Sequence, residues 1–276
     1  MNSNPNPNSN SNLNSNMNKY KNVLIGMRTF FPDWYNTIKK ISKPNIFISD
    51  FRSSELKKYI ENNNIHIIVP LSFDDYYAVK KINISDQISI LHPDESTFNL
   101  LNNKVEFTKW MCNEFPNLIP PVYFLNGEKK EDVQFPLISK PEFSTNGKHM
   151  KIYYDSKSFQ FSSNRLLVQK FIDINCEYGG FFLCENGKIL THHIIKNSYQ
   201  KFNIKKRNFP MTSIVVNNFS LIWFEKIIEK LNYSGGINFD FKYDDANDQI
   251  YIFEINPRFG GSAFSNNFIY SLLCVE

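Results

Sequence analysis

The chain has little glycine, very little alanine and no long apolar run. Ten glycines and three alanines (Ala78, Ala246, Ala263) among 276 residues leave scant material for glycine-rich loops. No uninterrupted apolar stretch approaches the roughly 20 residues of a membrane span, and the N-terminus carries no basic segment followed by an apolar one. Neither a membrane partner nor an export signal is expected, and the cytoplasm is the expected location. The four cysteines (Cys112, Cys176, Cys184, Cys274) include no C-x-x-C pair, which argues against a zinc site and fits reduced thiols. A net charge of +4, from 31 basic and 27 acidic residues, is too mild to indicate a nucleic-acid partner. A dinucleotide-binding turn needs three glycines after the first strand, and only Gly26 stands there, which excludes a nicotinamide or flavin site.

What is present is aromatic. The 26 Phe and 14 Tyr are spread over the whole chain, as composition bias and not as a base-stacking platform. Residues 1–18 carry Asn at every even position and almost nothing apolar, so they are expected to form a disordered lead-in. The remainder, within a chain that is 42% hydrophobic and 21% charged, is long enough to bury a core without disulfides. Apolar runs at Val23 to Met27, Asn45 to Ser49, His66 to Pro70 and Ile88 to Leu91 alternate with helical stretches at Ser54 to Asn62 and Asp74 to Lys81. That alternation predicts a small parallel α/β lobe. One helix is expected from near Asp94 through Leu101, Val105 and Met111, ending before Pro116. Beyond it, strand-like runs follow at Phe135 to Lys140, Leu166 to Ile172, Tyr178 to Cys184, Ile189 to Ile195, Gly236 to Tyr243 and Gln249 to Asn256. A single amphipathic helix at Phe219 to Leu231 interrupts them, with Leu221, Ile222, Ile227, Ile228 and Leu231 as its apolar face.

The chemistry concentrates near the end of the chain. In Gly235-Gly236-Ile237-Asn238-Phe239-Asp240-Phe241 and Tyr251-Ile252-Phe253-Glu254-Ile255-Asn256-Pro257-Arg258, alternation puts Asn238 and Asp240 on one strand face and Glu254 and Asn256 on one face of the next. Paired as a hairpin, these oxygens converge into a donor set for a hard cation such as Mg2+. Pro257 stops the strand, and Arg258 follows it as a guanidinium suited to phosphate or carboxylate. Lys140 ends an apolar strand just before a loop, from which its charge can enter a cleft or simply cover apolar surface. His192 and His193 are adjacent on a strand and so cannot chelate one metal together.

The run Glu254-Ile255-Asn256-Pro257-Arg258-Phe259-Gly260-Gly261-Ser262 closely resembles the C-terminal signature of ATP-grasp enzymes, in their carbamoyl-phosphate-synthetase-like, carboxylate–amine ligase branch. The resemblance implies a small α/β lobe (residues 19–100) before an α+β ATP-grasp domain (101–276) made of two sub-lobes, 101–165 and 166–276. It implies Mg2+, or Mn2+ in its stead, on Asp240, Glu254 and Asn256, and Arg258 and Lys140 as catalytic groups at the phosphates. Lys104, Lys140, Gln169, Lys170, Ile172 and Glu177 would bind ATP: Lys140 through the α- and β-phosphates, Lys104 as a second ATP-binding lysine, the backbone near Lys170 and Ile172 through adenine, and Glu177 (or Asp173 in its place) through ribose. Arg207, in the basic run Lys205-Lys206-Arg207, is either a solvated loop residue or a contact to substrate. The implied activity is ligation of a small carboxylate to an amine through an acyl phosphate. The segment Glu142 to Met150, where the family has a glycine-rich phosphate flap, holds only Gly147. Two other readings stay open beside ligation: an ATP-binding regulatory protein with weak or no turnover, and a kinase on the same fold.

Overall fold

The computed structural model describes residues 22–26, 46–70, 73–143, 149–159, 166–199 and 212–259. The Asn-rich lead-in, most of the flap (144–148), Arg207 and everything after Phe259 lie outside the described residues. Among the described residues no helix is long and apolar enough to cross a membrane.

The first lobe follows its hydrophobic pattern. Strands β1 (Val23–Gly26), β2 (Ile46–Ser49), β3 (Ile67–Val69) and β4 (Ser89–Ile90) form a parallel sheet in the order β2-β1-β3-β4, with helices α1 (Leu56–Asn62) and α2 (Phe73–Lys80) between strands in the chain. Leu24 and Ile68 pack with Phe51, Leu56, Ile60, Ile65 and Val79, the burial that a parallel sheet demands of its central strands.

The helix expected from Asp94 onward is two helices, α3 (Glu95–Asn102) and α4 (Lys104–Glu114). Asn103 breaks it. Its backbone is extended (φ −91°, ψ 111°), and its side-chain oxygen accepts hydrogen bonds from the amides of Val105 (2.9 Å) and Glu106 (3.1 Å). Asparagine competes with the helix for backbone partners and caps well, so the chain restarts at Lys104. The Lys104 amide donates to the Glu142 carbonyl (3.0 Å), and Asn103 Nδ2 donates to Glu142 Oε1 (2.7 Å), which ties the break to the segment entering the flap.

Two antiparallel sheets follow among the described residues. Strands β5 (Val122–Leu125), β6 (Glu128–Lys129), β7 (Leu137–Pro141), β8 (Lys151–Tyr153) and β9 (Leu166–Lys170) are ordered β6-β5-β9-β7-β8. Strands β10 (Cys176–Glu185), β11 (Lys188–Ser198), β12 (Thr212–Val215), β13 (Gly235–Asp244) and β14 (Gln249–Asn256) are ordered β12-β11-β10-β13-β14. The β10–β11 turn is Asn186-Gly187, both at positive φ, as a tight hairpin requires. Helix α5 (Ile222–Lys230) covers one face of this last sheet, with Phe224, Ile227 and Ile228 buried against Phe182, Ile237, Phe239 and Phe241. Ile222, expected on the apolar face, is the first residue of the helix and is 49% exposed. The opposite face carries the polar residues of the hairpin.

Gly235 begins β13 at φ +116°, and a Cβ there would meet the Cα of His92 at 2.8 Å and the carbonyl oxygen of Leu91 at 2.9 Å. The first lobe thus lies directly against the strand that carries Asp240. Gly235→Ala is expected to destabilise the protein by about 2 kcal/mol or more, through backbone strain and this overlap, read as a lower urea midpoint at unchanged slope.

Candidate active site

Pairing of β13 with β14 sets Asn238 opposite Asn256 and Asp240 opposite Glu254. Alternation sends Phe239 and Ile255 into the core beneath and leaves these four on the open face. Asn238 Nδ2 donates to one oxygen of Asp240 (3.0 Å) and Asn256 Nδ2 to the other (3.2 Å), while Arg258 Nη1 donates to Asn256 Oδ1 (3.0 Å). Burial and the facing charge of Glu254 push the Asp240 carboxyl up to about 7, with Glu177 adding to the rise and Asn238 and Lys104 opposing it.

Two lysines reach this hairpin from earlier elements. Lys104, the first residue of α4 and 5% exposed, pairs with Glu254 Oε1 at 2.6 Å. Lys140, near the end of β7, donates to Gln169 Oε1 on β9 (3.0 Å) and to the Phe253 carbonyl (3.5 Å), and its ammonium lies 5.5 Å from the centre of the Phe253 ring. Burial, and then the nearby charge of Lys104, lower Lys140 to about 8, against the pull of Glu254 and Glu177. The apolar-strand lysine is therefore not a surface-covering one. Arg258 is also largely buried, and Glu254 and Asp240 offset the penalty that burial puts on its charge.

Glu177 at the start of β10 accepts a hydrogen bond from the Tyr199 hydroxyl; burial raises its carboxyl in spite of Lys242, Tyr199 and Lys140. Gln169 faces Lys140. The Lys170 side chain goes elsewhere, to the Phe135 carbonyl (3.4 Å), while its amide donates to Pro121 (2.9 Å). The Ile172 carbonyl accepts from Lys242 Nζ (2.8 Å) and from the Ile174 amide (3.1 Å). Arg207 lies outside the described residues. His192 stacks on Phe182, whereas His193 pairs in register with Phe181, so the two point to opposite faces as expected. Sequence reading missed Lys242 and Tyr199. Lys242 continues the two-residue period of Asn238 and Asp240, a usable signal; Tyr199, just past the end of β11, offered none.

The donor set fits a hard divalent cation. Two carboxylates face each other at one strand spacing, and the buried Asn238 Oδ1 has no hydrogen-bond partner. Asn256 directs its oxygen at Arg258, and its amide would have to turn over to serve as a ligand. Among the described residues no group of three or more His, Cys, Asp or Glu side chains is placed to hold a metal ion, so a cation at this hairpin would draw on amide oxygen as well.

The chain belongs to the ATP-grasp family: residues 101–262, more than half of its length, match the ATP-grasp domain. It is 26% identical over 150 residues to the C-terminal section of the carbamoyl phosphate synthase large chain of Methanopyrus kandleri, covering 48% of this chain and 27% of that one. It is 22% identical over 273 residues to a D-aspartate ligase of Enterococcus faecium, covering 82% of this chain and 61% of the relative. The chain thus spans less than two thirds of either relative. A biotin carboxylase from Campylobacter jejuni superposes with a TM-score of 0.58 at 16% identity, over 92% of this chain and 69% of the other, so the fold is shared.

An aspartate normally titrates near 3.8, and Asp240 is raised from there to about 7. The folded protein therefore keeps a proton that the unfolded chain releases between those values, and stability falls as pH rises from about 4 to about 7. Asp240→Asn is expected to remove this loss. Without divalent cation, the variant should gain on the order of a few kcal/mol relative to the parent between pH 4.5 and pH 8, measured by urea unfolding at each pH.

Proposed function

We propose that the chain is an ATP- and Mg2+-dependent ligase that activates a small carboxylate as an acyl phosphate and joins it to an amine. The observation that carries this reading is the meeting of Lys104 and Lys140 with the Asp240, Glu254 and Arg258 hairpin, since these elements are far apart in sequence. Phosphoryl transfer asks a protein for positioning and charge neutralisation more than for covalent chemistry. Lys140 and Lys104 would take the phosphates, and Arg258 would hold the transferred phosphoryl group. Asp240, Glu254 and Asn256 would hold Mg2+, or Mn2+ in its stead, which neutralises phosphate charge when bound. In the first step a carboxylate oxygen bonds to the γ-phosphorus and ADP leaves. In the second the amine nitrogen bonds to the acyl carbon, phosphate leaves, and the nitrogen gives up a proton.

On this reading residues 19–100 form a substrate platform and 101–276 the ATP-binding unit, divided at about residue 165. The likeness to a D-aspartate ligase supports an amino acid or similar small carboxylate as one substrate. A second reading, a nucleotide-binding regulator without turnover, draws on the single glycine of the Glu142 to Met150 flap.

ADP release against pooled amino acids and small carboxylates, with mass spectrometry of positive pools, tests the proposal. Loss of water between two substrates marks a ligase, and retained phosphate marks a kinase. Glu254→Ala is expected to lower ADP formation by about a hundredfold or more, whereas Lys170→Ala, whose side chain faces Phe135, should stay within a few-fold of the parent. Calorimetric ATP binding with no product from any pool would favour the regulator. Neither ADP release nor Mg-ATP binding would sink both.

A further inference from the structure

We propose that Lys242 is a positioning residue for the nucleoside end of ATP, acting through the linker that joins the two antiparallel sheets. This rests on the ATP-binding reading above. Residues 171–175 carry the chain from β9 to β10 and belong to neither sheet. Their carbonyl groups therefore find partners outside the ladders: Ile172 accepts from the Ile174 amide (3.1 Å) and Asn175 from the Tyr199 amide (3.0 Å). Lys242, on β13 and 4% exposed, adds a side-chain tie: its ammonium donates to the carbonyls of Ile172 and Ile174, both at 2.8 Å, and lies 5.2 Å from the centre of the Phe171 ring. One buried cation thus contacts three of the five linker residues. The register that pairs Tyr178 with Phe241 also brings Glu177 alongside it.

Each side holds the other. A buried ammonium without acceptors is costly, and the half-buried Ile172 and Ile174 carbonyls are its acceptors, so Lys242 ties the linker backbone in the orientation that satisfies it. A base slot made of backbone groups is only as well oriented as that backbone, and the charge of Lys242 also favours the ionised Glu177 carboxylate beside it. The phosphate-facing groups Lys104, Lys140 and Arg258 have their own partners and do not depend on Lys242. The effect of Lys242 is therefore confined to base and ribose.

The test compares Mg-ATP with magnesium tripolyphosphate, which has the phosphates and neither base nor ribose, by calorimetry on the full chain. The parent should bind ATP more tightly than tripolyphosphate. Lys242→Met, which keeps the stem and removes the charge, should weaken ATP roughly tenfold or more while leaving tripolyphosphate unchanged. Lys242→Gln, whose shorter amide can reach one carbonyl at most, should show the same selective loss and serves if the methionine variant does not fold. Equal weakening of both probes would reveal a merely structural residue and overturn the proposal, as would full retention of the ATP preference. If the parent binds neither probe, the nucleotide reading itself fails, a separate result.

Discussion

Asp240 and Glu254 face each other across one hairpin with aromatic core directly below them, and no folded chain holds two such carboxylates together without compensation. Cross-strand neighbours on one face are separated by about 5 Å, close enough for like charges to destabilise the pair. Lys104, Lys140 and Arg258 supply the compensation, and each is delivered by a local decision of the chain. Asn103 breaks a helix so that Lys104 starts a new one. Strand β7 keeps Lys140 in its buried run, where Gln169 turns it toward Phe253. Pro257 ends β14 one residue before Arg258. The result is a set of charges balanced against each other on one face of the hairpin.

The other face of the same sheet explains the composition. Phe182, Phe224, Phe239 and Phe241 pack edge to face or tilted, with centroids 5.0 to 5.4 Å apart, and Tyr178 stacks on Phe241 at 5.2 Å. Large rings fill the space that a chain with so few alanines cannot fill with small side chains. Rings with few rotamers also make a stiff floor, which keeps the carboxylates above in register. The glycines that remain matter where they stand: Gly235 lets the backbone of Leu91 and His92 come within touching distance of β13.

The hairpin was legible in the sequence because its signal is geometric. Strict alternation of Asn238, Asp240, Glu254 and Asn256 with apolar residues admits few structures, and the chain turns where Asp244 to Asp248 said it should. Lys140 was legible for a similar reason, as a charge at the end of an apolar run. The helix break at Asn103 was not, because the apolar spacing of α3 and α4 is continuous through it and only the capping preference of one side chain interrupts it. Strands β5, β6, β8 and β12 also escaped notice. β6 is two exposed residues and all of β12 is exposed, so ladder hydrogen bonds define them and burial does not. The Asn126-Gly127 turn between β5 and β6, both residues at positive φ, was the available clue. Lys242 had the right period but lay beyond the residues whose chemistry drew attention.

The Lys104 to Glu254 ion pair joins residues 150 positions apart, and Lys140 meets the Phe253 carbonyl across 113. Contacts of such separation carry the loop-closure cost that slows folding. Both lysines precede β14 in the chain, so until that strand pairs their ammonium groups lack these partners. Lys104 and Lys140 meet their partners at Glu254 and Phe253 only when β14 docks. Folding order and chemistry are in this way tied to the same eight residues, Gln249 to Asn256.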